Sequence, residues 1–200
     1  MTERAMLSLL CLDAGEKLTR EEYRRLIEDA DDDTRELAAE LAVKKREAIY
    51  GRDVYVRGLI EIGNVCRNDC LYCGIRRSNR KCDRYILTNE QILDCCTTGY
   101  ELGFRTFVMQ GGEGVIPVDT VCGIVSEIRE KFPDCAITLS LGEYTREDYA
   151  RMRGAGADRY LLRHETADRA HYEKLHPEGM SFDNRMRCLR DLKELGFQVG

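Results

Sequence analysis

Three junctions in this chain share one pattern, in which a helix ends near a glycine and a β-strand candidate follows at once. They are Glu101-Leu102-Gly103-Phe104, Gly154-Ala155-Gly156-Ala157 and Glu194-Leu195-Gly196-Phe197. Glycine is the residue that most often ends a helix in the left-handed conformation. The repeat therefore predicts successive βα units, a parallel sheet and an α/β fold. Five strand candidates fit a doubly wound sheet or part of a TIM-type (β/α) barrel, and periodicity alone does not choose between them.

The predicted elements fall into two regions. Residues 1–52 are predicted to form a helical extension, in which Thr19 and Glu22 form a capping box and Gly51 ends a later helix. Residues 53–200 contain the alternating part, with strands predicted at 54–62, 106–109, 136–141, 159–162 and 197–199. Helices are predicted at 88–102, 117–132, 145–153, 168–175 and 182–195. About five βα units are therefore expected.

Charge and hydropathy argue against two classes of partner. The chain has 31 basic and 36 acidic residues, and its net charge of −5 offers no overall basic footprint for nucleic acid or anionic lipid. No apolar run approaches the roughly 18 residues that a bilayer span needs. The apolar run 5–12 is followed at once by Asp13 and lacks a small-residue cleavage site, so it is interpreted as a helix. We therefore expect a cytoplasmic protein that binds neither nucleic acid nor membrane.

Ten cysteines are many for a cytoplasmic chain, where disulfides are rare and metal binding is the better explanation for a cluster of thiols. Three of them lie within eight residues of one predicted loop, and the residues between them are mostly polar. Seven others are scattered through the chain, and most are interpreted as small core hydrophobes: Cys11, Cys82, Cys95, Cys96, Cys122, Cys135 and Cys188.

The clustered cysteines are Cys66, Cys70 and Cys73, in a C-x₃-C-x₂-C pattern directly after the first predicted strand. Thiolates are soft ligands that suit zinc or an iron–sulfur cluster. Three of them can hold one face of a [4Fe–4S] cube and leave the fourth iron open to another group. A structural zinc site normally has four ligands, and Cys82, nine residues on, is the only candidate for the fourth. The pattern therefore favours the cluster, with zinc as the alternative.

A glycine pair follows the second predicted strand, in the segment Gln110-Gly111-Gly112-Glu113. Paired glycines let the backbone approach a ligand closely, and the Glu113 carboxylate can accept charge-assisted hydrogen bonds from an ammonium group. A plain turn between strand and helix would use the same residues. The cysteine loop in the same chain favours the binding interpretation.

These motifs together resemble those of the radical S-adenosylmethionine (radical SAM) superfamily. The loop Cys66-Arg67-Asn68-Asp69-Cys70-Leu71-Tyr72-Cys73 is similar to the superfamily's signature, with Tyr72 as its aromatic residue. Gly111, Gly112 and Glu113 are similar to the turn that holds the amino group of S-adenosylmethionine. The resemblance implies a [4Fe–4S] cluster whose open iron binds S-adenosylmethionine. It also implies reductive cleavage of that cofactor to a 5′-deoxyadenosyl radical.

A finer resemblance, over most of the chain, is to [FeFe]-hydrogenase maturases of the HydE type. It rests on Gly58-Leu59-Ile60-Glu61, Thr138-Leu139-Ser140-Leu141-Gly142-Glu143 and Tyr160-Leu161-Leu162-Arg163-His164-Glu165-Thr166. Biotin synthases and methylornithine synthases share parts of this pattern. The resemblance implies that Ser140, Glu165 and Arg185 contact S-adenosylmethionine and that Thr138 and Arg163 line an inner cavity that binds substrate carboxylates. An ion-pair network that only ties loops together is the alternative for Arg163.

The placement of these residues favours the barrel, because each group follows a different predicted strand and barrel enzymes build their sites at the carboxyl ends of their strands. The family's barrel has further strands, whereas this chain stops on entering its fifth. We therefore expect an incomplete (β/α) barrel in which 53–200 form the N-terminal part of a truncated radical SAM domain.

The function implied by the resemblance is assembly of the [FeFe]-hydrogenase H-cluster, acting on a small or organometallic substrate. Other hydrogenase maturases and an electron donor such as ferredoxin or flavodoxin would be the partners. One alternative is another radical SAM enzyme of the biotin synthase and methylornithine synthase group. An alternative of a different class is a non-catalytic iron–sulfur or zinc protein.

Overall fold

The computed structural model describes residues 2–200, which form two compact units. The first unit extends to Tyr55 and consists of helices α1 (Glu3–Asp13), α2 (Arg20–Glu28) and α3 (Asp32–Tyr50). The predicted capping box is present at the start of α2, where the Glu22 N–H donates to the Thr19 hydroxyl and the Thr19 N–H donates to the Glu22 carboxylate. Within residues 2–200, no helix is both long and apolar enough to cross a bilayer.

The second unit, Val56–Gly200, alternates strands and helices as the sequence predicts. Its strands are β1 (Gly58–Gly63), β2 (Thr106–Gly111), β3 (Ala136–Ser140), β4 (Arg159–Tyr160) and β5 (Gln198–Val199). Its helices are α4 (Asn89–Glu101), α5 (Val118–Lys131), α6 (Arg146–Gly154), α7 (Arg169–Leu175) and α8 (Phe182–Glu194). All five strands form one parallel sheet.

The strand order distinguishes the two α/β architectures that the sequence left open. The strands lie side by side in chain order, β1-β2-β3-β4-β5, whereas a doubly wound sheet reverses direction at a switch point. Alternate strand residues such as Ile60, Phe107 and Leu139 pack with α4, α5, α6 and α8 in one core. The residues between them, such as Gln110 and Ser140, face a cavity instead. Sequential order with helices on one face is the arrangement of a (β/α) barrel, of which five strands are present.

The three helix–strand junctions have the backbone conformation that the sequence predicts. Gly103, Gly156 and Gly196 all have positive φ angles, of 93°, 116° and 82°. This is the left-handed region in which glycine ends a helix without the steric cost of a Cβ atom. The glycine at each of these junctions therefore marks the end of a helix in a repeated βα unit.

The predicted limits of two strands are wrong. The first strand was expected at 54–62, but β1 begins only at Gly58, and Val54 and Val56 are exposed. Gly58 pairs with Phe107, one residue into β2, so residues 54–57 have almost no neighbouring strand to pair with. The fourth strand was expected at 159–162 and is reduced to two residues, which pair with the two residues of β5.

The scattered cysteines only partly follow the prediction that they are core residues. Cys96, Cys135 and Cys188 are buried in the core, and Cys122 packs against it. Cys95 is exposed, since its neighbour Cys96 occupies the inward face of α4, while Cys11 and Cys82 are half-buried.

Candidate functional site

A cavity of about 510 Å³ lies where the loops after β1, β2, β3 and β4 meet. The carboxyl ends of parallel strands lie at one edge of a sheet, so these loops converge although they are far apart in the chain. The cavity is lined by ten of the eleven residues that the sequence singled out: Cys66, Cys70, Cys73, Gly111, Gly112, Glu113, Ser140, Arg163, Glu165 and Arg185.

The remaining predicted residue, Thr138, does not line the cavity. It lies on the same face of β3 as Ser140, two residues further from the carboxyl end of the strand. Its side chain is buried, and its hydroxyl has no hydrogen-bond partner among residues 2–200. A buried hydroxyl without a partner is costly, so Thr138 lowers the stability of the fold at this position.

The cysteine loop is fixed to the rest of the unit by backbone contacts. The Leu71 N–H donates to the carbonyl of Leu175 at the end of α7 at 2.9 Å. Within the loop, the Cys73 N–H donates to the Cys70 carbonyl at 3.1 Å. Cys70 is buried, while Cys66 and Cys73 are half-buried. All three cysteines line the cavity.

The base of the cysteine loop is closed by Asn64 and Arg84. The Asn64 side chain donates to the carbonyl of Asp83 at 2.6 Å and accepts from the N–H of Tyr85 at 2.9 Å. The Arg84 guanidinium donates to four backbone carbonyls, those of Asn64, Ile75, Arg76 and Asn79. Sequence reasoning assigned no role to either residue, because a side chain that binds carbonyls has no motif of its own.

The glycine turn after β2 packs directly on the cysteine loop. A Cβ atom on Gly112 would lie 1.9 Å from the Val65 carbonyl oxygen, so only glycine fits there. The next residue, Glu113, donates its N–H to the Cys66 sulfur at 3.4 Å. Its buried carboxylate pairs with the half-exposed guanidinium of Arg67 at 2.9 Å. The glycine turn at Gly111–Glu113 and the cysteine loop are therefore packed against each other next to the thiols.

Cys70 is in contact with a methionine that the sequence analysis did not single out. Its sulfur lies 3.6 Å from the sulfur of Met180, and both residues are buried. Burial, with smaller contributions from the neighbouring Cys66 and Cys73, raises the pKa of the Cys70 thiol to about 11. In the absence of a cation the thiol is therefore held in its neutral form, and a bound metal would displace its proton.

Tyr72, the aromatic residue of the cysteine motif, is held by His176. The His176 Nδ1 lies 2.9 Å from the Tyr172 carbonyl, which can only accept, so Nδ1 carries the hydrogen. The other ring nitrogen, Nε2, lies 3.1 Å from the Tyr72 hydroxyl and is paired with it. The imidazole also stacks on the Tyr172 ring, with the ring centroids 3.8 Å apart. This chain of contacts joins the cysteine loop to the end of α7.

Arg185, on the first turn of α8, forms a buried ion pair with Glu143 from the loop after β3. The Arg185 Nε donates to the carboxylate at 2.7 Å, and Nη1 donates to the carbonyl of Arg163 at 2.8 Å. The second carboxylate oxygen of Glu143 accepts from the Asn184 side chain at 2.6 Å. The guanidinium is thus fixed at the cavity wall. Sequence reasoning placed Glu143 at a strand end but gave it no role.

The loop after β4 brings two further charged residues to the cavity. Arg163 and Glu165 both line it and are both largely exposed. Glu165 has a φ angle of 65°, in the left-handed region that residues other than glycine rarely adopt. Backbone strain of this kind occurs mostly at functional sites. The loop therefore holds a charged side chain at the cavity edge at some conformational cost.

The strand order, the single helical face and a site at the carboxyl ends of the strands define a (β/α)-barrel protein whose site carries thiols. Residues 60–200 match the family model of the radical SAM superfamily. The chain belongs to that superfamily.

Among curated proteins, the chain is similar to the [FeFe] hydrogenase maturase subunit HydE of Thermotoga maritima. The two are 44% identical over 191 residues, which cover 92% of this chain and 54% of that protein. The chain therefore spans about half the length of this relative.

Two solved structures of the same superfamily have a similar fold. HydG, a maturase of the [FeFe]-hydrogenase, superposes with a TM-score of 0.89 and 25% identity, over 100% of this chain and 46% of that chain. Methylornithine synthase (PylB) superposes with a TM-score of 0.82 and 27% identity, over 96% of this chain and 57% of that chain.

The residues present fit the iron–sulfur cluster of this superfamily. The cavity lining contains three thiols and no imidazole, and thiolates are the ligands of [4Fe–4S] clusters. Cys82 does not line the cavity, and its sulfur lies 3.5 Å from the Asn64 amide nitrogen instead. Within residues 2–200, no three His, Cys, Asp or Glu side chains are arranged around a point that one metal ion could occupy.

Proposed function

We propose that this protein is a radical SAM enzyme of the HydE type, which reductively cleaves S-adenosylmethionine in assembly of the [FeFe]-hydrogenase H-cluster. The observation that carries the proposal is the shared cavity: three thiols, a glycine turn and charged residues from four strand ends line one space of about 510 Å³. The 44% identity to a HydE protein supports the finer assignment.

Cys66, Cys70 and Cys73 would hold a [4Fe–4S] cluster and leave one iron open to S-adenosylmethionine. When bound, the cluster supplies the electron that breaks a sulfonium C–S bond and releases a 5′-deoxyadenosyl radical. The Glu113 N–H, which donates to the Cys66 sulfur, stabilises negative charge on that ligand. Among the described residues, only three thiols line the cavity, so the fourth iron would have no cysteine ligand there and would be open to S-adenosylmethionine.

The remaining cavity residues would bind and orient S-adenosylmethionine. Glu113 would accept hydrogen bonds from its amino group, and Gly111 and Gly112 would place that residue at the cavity by letting the turn pack against Gly63 and Val65. Arg185 already donates to Glu143 and to a backbone carbonyl, so its orientation is set before any ligand binds. Ser140 and Glu165 would contact the rest of the cofactor.

Thr138 and Arg163 would bind the substrate, which we infer to be a small or organometallic molecule carrying a carboxylate. Arg163 lines the cavity and offers a planar guanidinium for a carboxylate. The Thr138 hydroxyl is unpartnered but buried behind the lining, so its part in binding would need the neighbouring side chains to move. The partners would be other hydrogenase maturases and a ferredoxin or flavodoxin. Thiols that must stay reduced suit a reducing compartment, which supports a cytoplasmic location. Residues 53–200 would be the N-terminal part of the barrel and 1–52 its helical extension.

Anaerobic reconstitution tests the enzymatic proposal. We expect about four irons per chain, a change in the spectrum of the reduced cluster on adding S-adenosylmethionine, and release of 5′-deoxyadenosine after reduction with dithionite. Cys70→Ala is expected to lose the cluster. Bound zinc without cleavage would contradict the proposal and support the non-catalytic alternative.

A hydrogenase-activation assay tests the finer assignment. The protein is combined with the other maturases and an apo-hydrogenase, and hydrogen production is measured. If the protein cleaves S-adenosylmethionine but activates no hydrogenase, the HydE-type assignment is contradicted. The protein would then catalyse a different radical SAM reaction, such as that of the biotin synthase and methylornithine synthase group. The similarity in fold to methylornithine synthase is the observation that favours this second candidate.

A further inference from the structure

The cysteine loop has a charge opposite to that of the rest of the chain. Residues 66–85 contain six basic and two acidic side chains, a net charge of +4, in a chain whose net charge is −5. The rest of the chain therefore has a net charge of −9. Nothing in the proposed binding of cluster or cofactor uses the basic residues that follow Cys73.

Most of this positive charge is exposed and unneutralised. Arg77, Arg80, Lys81 and Arg84 are exposed and Arg76 is half-buried. Across residues 2–200, none of these five forms an ion pair with a carboxylate. Arg76 and Arg84 bind backbone carbonyls, which leaves their charge in place. The loop thus presents a concentrated positive potential to solvent.

One residue of this basic segment, Arg77, lines a depression beside the site. This depression of about 220 Å³ is lined by Arg67, Asn68, Asp69, Arg77, Pro177, Gly179 and Met180. Asn68 and Met180 also line the main cavity, so the two spaces are neighbours that share these two residues. Leu71, between Cys70 and Cys73, is 70% exposed and does not line the cavity. It offers an exposed apolar side chain on the same cysteine loop, and interfaces combine an apolar centre with a polar rim.

We propose that this basic face of the cysteine loop, Arg76 to Arg84 with Leu71, is the docking surface for a small acidic one-electron carrier protein. The inference rests on the proposed function, which requires an external electron. One electron leaves the reduced centre of the carrier, which is oxidised, and enters the cluster, which is reduced. No bond or proton is exchanged. Opposite charges accelerate the encounter and orient the carrier at the loop that holds the cluster.

An acidic protein fits this surface better than a nucleic acid does. A compact protein contacts one patch, and its negative charge is matched by the local net charge of +4. An extended polyanion would also meet other parts of the second unit, whose net charge outside this loop is −5 and repels it. The size of the basic patch, one loop of about twenty residues, suits a transient redox complex with a small interface.

Stopped-flow reduction by an acidic ferredoxin, reduced beforehand, tests the proposal on the reconstituted protein. The test variant is Arg77→Glu, Arg80→Glu and Lys81→Glu together, none of which lines the main cavity. The matched control has the same change of charge on exposed residues of the second unit that line neither space: Arg57→Glu, Arg190→Glu and Lys193→Glu. Each protein is also reduced with dithionite, which needs no docking surface.

We expect the test variant to be reduced by ferredoxin at least about tenfold more slowly than the wild type at low salt. The wild-type rate should fall as salt is raised, while the control stays within about twofold. Cleavage of S-adenosylmethionine driven by dithionite should be unchanged in all three. Equal ferredoxin rates in the two triple variants would overturn the docking surface and leave the enzymatic proposal intact.

Two further outcomes separate the alternatives. Failure of dithionite to drive cleavage in the wild type would contradict the proposed function itself, independently of docking. A random single-stranded RNA oligomer is also tested for binding. If the wild type binds it, the test variant does not, and the ferredoxin kinetics of the two are equal, the surface binds nucleic acid and the proposed protein partner is wrong.

Discussion

Arg185 and Glu143 form an ion pair at 2.7 Å in which both side chains are only 8% exposed. The two residues lie 42 positions apart, one on α8 and the other after β3. Asn184 binds the second carboxylate oxygen, and the carbonyl of Arg163 accepts from the guanidinium. A buried pair of this kind is weak support for stability unless its remaining hydrogen bonds are satisfied, and here they largely are. Its main effect is to hold one guanidinium in one orientation at the cavity.

Glu143→Ala is expected to lower the free energy of unfolding by about 3–5 kcal/mol, because it leaves a buried guanidinium without its counter-charge. Denaturant unfolding of the metal-free protein measures this. The double variant Glu143→Ala with Arg185→Met should recover most of the loss, since no unpaired charge remains. Asp32→Ala, which removes an exposed pair with Arg35, should change little. A double variant as unstable as the single one would contradict the argument.

Gly112→Ala is expected to abolish iron incorporation. The new methyl group would overlap the Val65 carbonyl, a backbone atom that cannot rotate away, so the cysteine loop must move. Iron content after anaerobic reconstitution is the measurement. Gly123→Ala, on the exposed face of α5 outside the cavity, is the control, because a Cβ atom there meets nothing within 4 Å. Normal iron content in Gly112→Ala would show that the turn does not constrain the loop.

Thr138→Val is expected to raise the free energy of unfolding by about 1–3 kcal/mol, because it replaces a buried hydroxyl that has no partner with a methyl group of similar size. Thr97→Val should have the opposite sign, since the Thr97 hydroxyl donates to the Leu93 carbonyl at 2.9 Å. Thermal or denaturant unfolding of the metal-free protein gives both values. If Thr138 also binds substrate, the stabilised variant should lose turnover while it still cleaves S-adenosylmethionine. A destabilised Thr138→Val would mean that its hydroxyl has a partner.

Cys82→Ala is expected to keep about four irons per chain after reconstitution, because Cys82 lies outside the cavity against Asn64. Cys73→Ala should lose most of the iron and the absorbance of the cluster. The pair of variants distinguishes three cysteine ligands from four. Equal losses in both would contradict the assignment and favour a closed site with a fourth thiolate.

Much of the fold was predictable because its signals are local. At Gly103, Gly156 and Gly196, a helix ends, the glycine has a positive φ angle and a strand follows, all within about four residues. Each βα unit is therefore recognisable from a short stretch of sequence. The length of β1 was not predictable in this way. Val54 and Val56 have high strand propensity, but a strand exists only where a neighbour is available, and β2 begins at Thr106.

In the candidate site, too, only the features encoded by neighbouring residues were predictable from the sequence. The spacing of Cys66, Cys70 and Cys73 determined, by itself, which thiols come together, since three ligands within eight residues of one loop cannot be far apart. Only the tertiary structure decided what surrounds them. Met180 contacts Cys70 across 110 residues, and Glu143 meets Arg185 across 42. Contacts of that kind depend on how the strands order themselves in the sheet, and no local pattern in the sequence records that order.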